Sequence, residues 1–157
     1  MFENILVPYD GSESANKALS VAMQIGSESK PLNITVLQVI GMRELDQSTF
    51  EVALRMAGLT SEENEGLDEL RSSYESAYKD KMRESVSDFF SKLPANVDLK
   101  IVIKRGDPRD VICNYAEEND MDCIVMGRRG LSGIRATLGS VSTAVLRGTE
   151  LPVLVVK

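Results

Sequence analysis

The segment Val125-Met126-Gly127-Arg128-Arg129-Gly130-Leu131-Ser132-Gly133-Ile134-Arg135-Ala136-Thr137-Leu138-Gly139-Ser140-Val141-Ser142 passes from an apolar strand through a glycine-rich loop into the start of a helix. Cys123 to Gly127 is strand-sized and apolar throughout, as expected of a strand buried on both faces. The glycines let backbone N–H groups approach an anion without interference from a Cβ, and a helix N-terminus adds unpaired donors and partial positive charge. Hydroxyls at Ser140 and Ser142 add neutral donors. The layout is that of an anion cradle. A plainer reading makes Gly127 and Gly130 ordinary turn residues and Gly139 the hinge of a tight connection.

Outward from this segment the chain repeats one pattern. Ile5 to Pro8, Ile34 to Ile40, Leu99 to Lys104 and Val153 to Val156 are further short runs rich in β-branched residues. Helical patterns lie between them, and that alternation predicts a doubly wound, mostly parallel five-stranded sheet with helices on both faces. After the first strand, Ser12 or Ser14 caps a helix with Ala15, Ala18, Leu19, Ala22 and Met23 on one face, and Gly26 stops it. Ser48 to Ala57 reads as a short helix and Thr60 to Gly66 as a solvated acidic stretch. A longer helix is expected from Leu67, with Leu70, Tyr74, Tyr78, Met82, Val86, Phe89 and Leu93 on one stripe and Pro94 as its end. Gly106-Asp107-Pro108 supplies a turn, an N-cap and an N1 proline for a helix that buries Val111, Ile112, Tyr115 and Ala116. The last helix runs from near Ser140 to Gly148. With no repeat, linker or low-complexity tract, residues 1–157 read as one domain.

Composition narrows the chemistry. The chain has no histidine, which excludes Ser-His-Asp and Cys-His nucleophile systems and HExxH zinc chemistry. A net charge of −6 argues against a nucleic-acid partner. Cys113 and Cys123 are expected to be buried core thiols. No run approaches the roughly 18 apolar residues of a membrane span, and the start lacks the pattern of a secretion signal, so a cytoplasmic protein with no membrane association is expected. Neither GxxxxGK[ST] nor GxGxxG is present.

Written as G-x2-G-x8-G-S, the segment from Gly127 to Ser140 resembles the ATP-binding signature of the universal stress protein family. Ile5-Leu6-Val7-Pro8-Tyr9-Asp10-Gly11-Ser12 resembles that family's first strand and turn, and the order of elements matches along nearly the whole chain. The resemblance implies a Rossmann-like fold of the adenine nucleotide alpha hydrolase type, with ATP at the carboxyl ends of the strands. It implies that Pro8, Tyr9 and Asp10 border the adenosine, that Val39 offers backbone groups to adenine, and that Met126 and Gly127 sit beside adenine and ribose. Gly130, Gly139, Ser140, Val141 and Ser142 would hold the phosphates, with Arg128 beside them. Mg or Mn would be held through the phosphates, and residues 151–156 would form a homodimer edge.

The match has two departures. Eight residues, Leu131 to Leu138, separate the second and third glycines where the family pattern has nine, and Arg128 stands where small polar residues are usual. Arg128, Arg129 and Arg135 serve equally as phosphate contacts or as solvated surface charge. Asp10 either accepts ribose hydroxyls or completes an Asx turn. The leading expectation is an ATP-binding regulatory module without a dedicated catalytic base. The alternatives are a slow ATP hydrolase or adenylate-handling relative, and an interaction module that binds no nucleotide.

Overall fold

The structure is a computed structural model that describes residues 2–25, 30–41, 64–130 and 138–157. The expected stop at Gly26, the helix over Ser48 to Ala57 and Arg135 lie outside the described residues. Strands and helices alternate as Asn4–Pro8 (β1), Glu13–Ile25 (α1), Leu32–Ile40 (β2), Asn64–Ser85 (α2), Ser87–Phe90 (α3), Val97–Arg105 (β3), Pro108–Glu118 (α4), Cys123–Gly127 (β4), Ser140–Gly148 (α5) and Val153–Val156 (β5). The strands form one parallel sheet in the order β3-β2-β1-β4-β5. β1 lies at its centre: the chain builds outward through β2 and β3, then returns to place β4 on the other side. That reversal is the position where open α/β sheets hold ligands.

Side-chain alternation assigns each strand residue to one of two cores. Ile5 and Val7 of β1, Ile34 and Val36 of β2, and Cys123 and Val125 of β4 pack against α1 together with Met82 and Val86. Leu6, Leu37, Ile124 and Met126 point the other way and meet Ile112, Tyr115 and Ala116 of α4 and Val145 of α5. Ile5, Leu6, Ile34, Leu37 and Ile124 are fully buried, each contributing roughly 1.5–3 kcal/mol relative to exposure. Both cysteines are unpaired thiols in these cores, and burial pushes both pKa values up.

Local chemistry explains the helix starts. Ser12 caps α1, its Oγ accepting the Ala15 N–H at 3.1 Å, and the expected alanine-rich face is buried. Asp107 caps α4 by accepting the Arg109 N–H at 2.9 Å, with Pro108 next in line. The Arg109 side chain and then its backbone N–H hold the Asp107 carboxyl down at about 2.

The long helix differs from expectation. It begins at Asn64, inside the stretch read as solvated, and breaks at Val86, where φ is −106° and ψ is 8°. A short helix, α3, follows, and the Phe90 C=O then takes the Leu93 N–H in a tight turn before Pro94. Val86 is fully buried, and Phe89 and Leu93 pack against the same core, so one apolar stripe continues through the break.

Asp122 pins the opposite end of the sheet. Its Oδ2 accepts the N–H groups of Glu3 and Asn4, both at 2.8 Å, while its own N–H donates to the Asn4 C=O. One carboxylate thereby joins the entry of β1 to that of β4. Asp122→Ala should lower stability by about 1–2 kcal/mol in a urea titration, as expected when charge-assisted bonds to backbone donors are lost. An unchanged midpoint would show that the clamp is dispensable.

Candidate functional site

β1 pairs with β2 over five residues, Asn4 to Pro8, but with β4 only at Ile5↔Cys123 and Leu6↔Ile124. The carboxyl ends of β1 and β4 therefore leave this ladder early, at the switch point where open α/β sheets form their ligand crevice. Pro8 closes β1, and the chain turns through Gly11 at φ +81°, a backbone conformation that glycine adopts without strain. The Asp10 Oδ1 accepts the Ser12 N–H at 3.0 Å, which fixes the carboxylate in an Asx turn.

Across the crevice, β4 ends at Gly127, and its neighbours explain the missing side chain. A Cβ there would lie 2.5 Å from Ser14 Oγ, 2.7 Å from the Ser14 carbonyl carbon and 2.8 Å from the Ser14 oxygen. Gly127 thus lets the first turn of α1 sit directly on β4. A Cβ on Gly130 would lie 2.5 Å from Asp10 Oδ2, so the loop backbone and the Asp10 carboxylate face each other at close range. The requirement at Gly130 is clearance: the positive-φ glycines among the described residues are Gly11 and Gly106.

Two helices begin beside this opening, and their first turns differ in charge. α1 carries Glu13 in its first turn, is capped by Ser12 and stands just behind Asp10. α5 has Gly139 as its cap with no side-chain cap bond, and no acidic residue in its first turn. Ser140 is exposed and Val141 half-buried. Among the described residues, the N-terminus of α5 is therefore the one of the two with no carboxylate in its first turn, an arrangement whose charge suits an anion.

β2 supplies the third wall. The Leu37 C=O accepts the Tyr9 N–H at 2.8 Å and so faces β1. Two residues further on, Val39 directs its N–H and C=O to the same side, beyond the end of β1 at Pro8. The Ile40 C=O faces the other way, accepting the Gly106 N–H. A donor and an acceptor on one strand edge suit the edge of a planar heterocycle.

Not every residue singled out in the sequence brings its side chain to the crevice. Tyr9 is 5% exposed and donates its hydroxyl to Asn16 Oδ1 at 2.6 Å; burial and then the Asp10 charge raise its pKa. The Met126 side chain belongs to the core against α4 and α5. Ser142 is buried, and its Oγ donates to the Gly127 C=O at 3.0 Å and lies 3.3 Å from that of Arg128. It staples α5 to the end of β4. Pro8, Asp10, Gly130, Gly139, Ser140 and Val141 remain around the opening, and Arg128 and Arg129 are half-buried at its rim. Ser14 is the residue that the sequence alone did not assign to the site: beyond its contact with Gly127, its Oγ is 3.5 Å from the Arg129 nitrogen. As one of two candidate caps for α1 it was visible only as a local feature.

A sequence model of the Universal stress protein family matches residues 1–157. Universal stress protein MJ0577 of Methanocaldococcus jannaschii is 33% identical over 161 residues, covering 100% of this chain and 96% of that protein. Its solved structure superposes with a TM-score of 0.75 at 28% identity, again covering 100% of this chain and 96% of that one. UspA from Lactobacillus plantarum gives a TM-score of 0.70 at 30% identity, covering 99% of this chain and 98% of that chain. A universal stress protein solved in complex with cAMP shares the fold, with a TM-score of 0.59 at 22% identity over 99% of this chain and 97% of that one.

Proposed function

Because the chain belongs to the universal stress protein family, we propose that the crevice between β1 and β4 binds ATP and that the protein is a regulatory nucleotide-binding module of the stress response. The observation that carries the reading is the contrast between the two helix starts: α1 presents Asp10 and Glu13, whereas α5 presents Gly139 and bare backbone donors. Phosphates belong at α5. Adenine then lies toward the outward-facing N–H and C=O of Val39, and the ribose lies between, where Asp10 accepts its hydroxyls. The cAMP held by a distant protein of the same fold is compatible with an adenine nucleotide here. Among the described residues no group of three or more Cys, Asp or Glu could hold a metal ion, so Mg or Mn would enter through phosphate oxygens.

The same reading assigns no general base, and turnover is expected to be negligible or very slow. Two unpaired buried thiols suit a reducing cytoplasm. No helix among the described residues is long and apolar enough to cross a membrane.

Calorimetry with Mg-ATP, ADP, AMP and adenosine tests the assignment. Affinity should rise with each phosphate added, because the α5 donors are reached only through the phosphates. Equal affinity for adenosine and ATP would remove the phosphates from α5, and no heat with any of them would remove the nucleotide altogether.

The reading also includes a homodimer through β5. The sheet has two edges, β3 and β5. β3 carries exposed Asp98, Lys100 and Lys104, charges of the kind that guard a free edge, whereas Val153–Val156 carries none. Leu154 on β5 and Leu146 on the neighbouring α5 are 41% and 43% exposed. Leu154→Lys should weaken dimerisation on the order of tenfold or more in sedimentation equilibrium. An unaltered dimer would place the interface elsewhere.

A further inference from the structure

We propose that the groove between α1 and α3, away from the switch-point crevice, binds a free α-amino acid with a large apolar side chain in its zwitterionic form.

α1 connects β1 to β2, and α2 with α3 connects β2 to β3. Ala15, Leu19 and Met23 share one core with Met82, Val86 and Phe89, so both connections cover the same face of the sheet. Between them the described residues leave a groove of about 580 Å³, within the roughly 300–1,000 Å³ of small-molecule sites. It shares no lining residue with the crevice. Met23 is buried, Phe89 and Pro94 are half-buried, and the three give the groove its apolar surface.

The charged groups set the ligand class. Asp88 and Lys92 line the groove four residues apart, across the turn in which the Lys92 N–H donates to the Phe89 C=O at 3.1 Å. Both side chains are exposed, and among the described residues neither enters an ion pair. One groove thus offers a carboxylate and an ammonium beside apolar surface. An α-amino acid carries the complementary ammonium and carboxylate on one carbon, and its side chain covers Met23, Phe89 and Pro94. A simple carboxylate would meet repulsion from Asp88, and a simple amine would meet it from Lys92.

The α1 wall contributes neutral groups. The Tyr9 hydroxyl donates to Asn16 Oδ1 at 2.6 Å, which fixes the amide and leaves its Nδ2 as a donor. Ser20 Oγ gives its proton to the Asn16 C=O at 3.0 Å and keeps its lone pairs as acceptors. Selection by charge therefore falls to Asp88 and Lys92. An amino acid of this size is expected to bind with a dissociation constant on the order of a millimolar. Each exposed charge changes that constant about two- to fivefold.

The experiment follows backbone amide shifts during titration with L-phenylalanine, with 3-phenylpropionate, which lacks the ammonium, and with 2-phenylethylamine, which lacks the carboxylate. Each titration is run with and without Mg-ATP. L-Phenylalanine should give saturable shifts at Asn16, Ser20, Met23, Asp88 and Phe89 that ATP does not abolish, and each analogue should bind about two- to fivefold more weakly. Lys92→Gln should bring L-phenylalanine to the level of 2-phenylethylamine, and Asp88→Asn to that of 3-phenylpropionate. Both positions are exposed, so both variants keep the fold. Absence of saturable shifts in the groove overturns the site. Displacement of the amino acid by ATP would move it to the crevice and overturns the site as well. Equal affinity for all three compounds overturns the zwitterion assignment.

Discussion

Gly130→Val is expected to lower ATP affinity by roughly two orders of magnitude, about 2.7 kcal/mol, while leaving the melting temperature within a degree or two of wild type. The first half follows from position: the new Cβ would lie 2.5 Å from Asp10 Oδ2, and the carboxylate must swing away from the place where it meets the ribose. The second half follows from what has to move. Gly130 is exposed and outside both cores, its φ requires no left-handed conformation, and the displaced atom is the end of a side chain. Asp10→Ala should reduce affinity by a similar amount, and the double variant should be little worse than either single one, since both changes remove the same group. Fully additive losses would show that Gly130 acts on the nucleotide independently of Asp10. Unchanged affinity would place the nucleotide elsewhere.

Gly127→Ala should instead damage the fold. Its Cβ would meet the Ser14 backbone at 2.7 and 2.8 Å as well as Ser14 Oγ at 2.5 Å, so the first turn of α1 must lift off β4. α1 buries Ala15, Ala18, Leu19, Ala22 and Met23, and any lift loosens that packing. Overpacking of this kind costs about 1–3 kcal/mol, or roughly 3–10 °C in melting temperature for a chain of this size. Ser14→Gly should not rescue it, because the two backbone contacts remain. Full rescue would mean that only the hydroxyl was in the way, and wild-type stability in the single variant would mean that α1 sits less tightly than described.

The two glycines, three residues apart in one loop, show how far the sequence could be read. Both fitted a turn and both fitted a phosphate cradle; which one clears a helix and which one faces a carboxylate depends on α1 and Asp10, more than a hundred residues earlier in the chain. The five strands were legible because each is a short β-branched run, and their alternation with helices settled the sheet class. The caps at Ser12 and Asp107 were legible because capping is local chemistry. The break at Val86 was not, because Met82, Val86, Phe89 and Leu93 keep helical spacing across it and periodicity carries no record of one distorted residue.

The side chains that turned away from the crevice left a usable signal. Tyr9 continues the parity of Ile5 and Val7 toward α1, and Met126 shares that of Ile124 toward α4, so a period of two assigns both to the cores. Ser142 left none: a serine in the first turn of a helix reads equally as an anion donor or as a staple, and only the placement of the β4 carbonyls decides.

The central claim is that a nucleotide occupies the switch-point crevice with its phosphates on α5 and its base along β2. Backbone amide chemical shifts followed during an ATP titration of isotope-labelled protein test it most directly. Saturable shifts concentrated at Gly130, Gly139, Ser140 and Val141 and at Val39 are expected, with smaller changes at Glu13 and Ser14 at the start of α1. Shifts centred on the first turn of α1, or on residues remote from both β1 and β4, would contradict it.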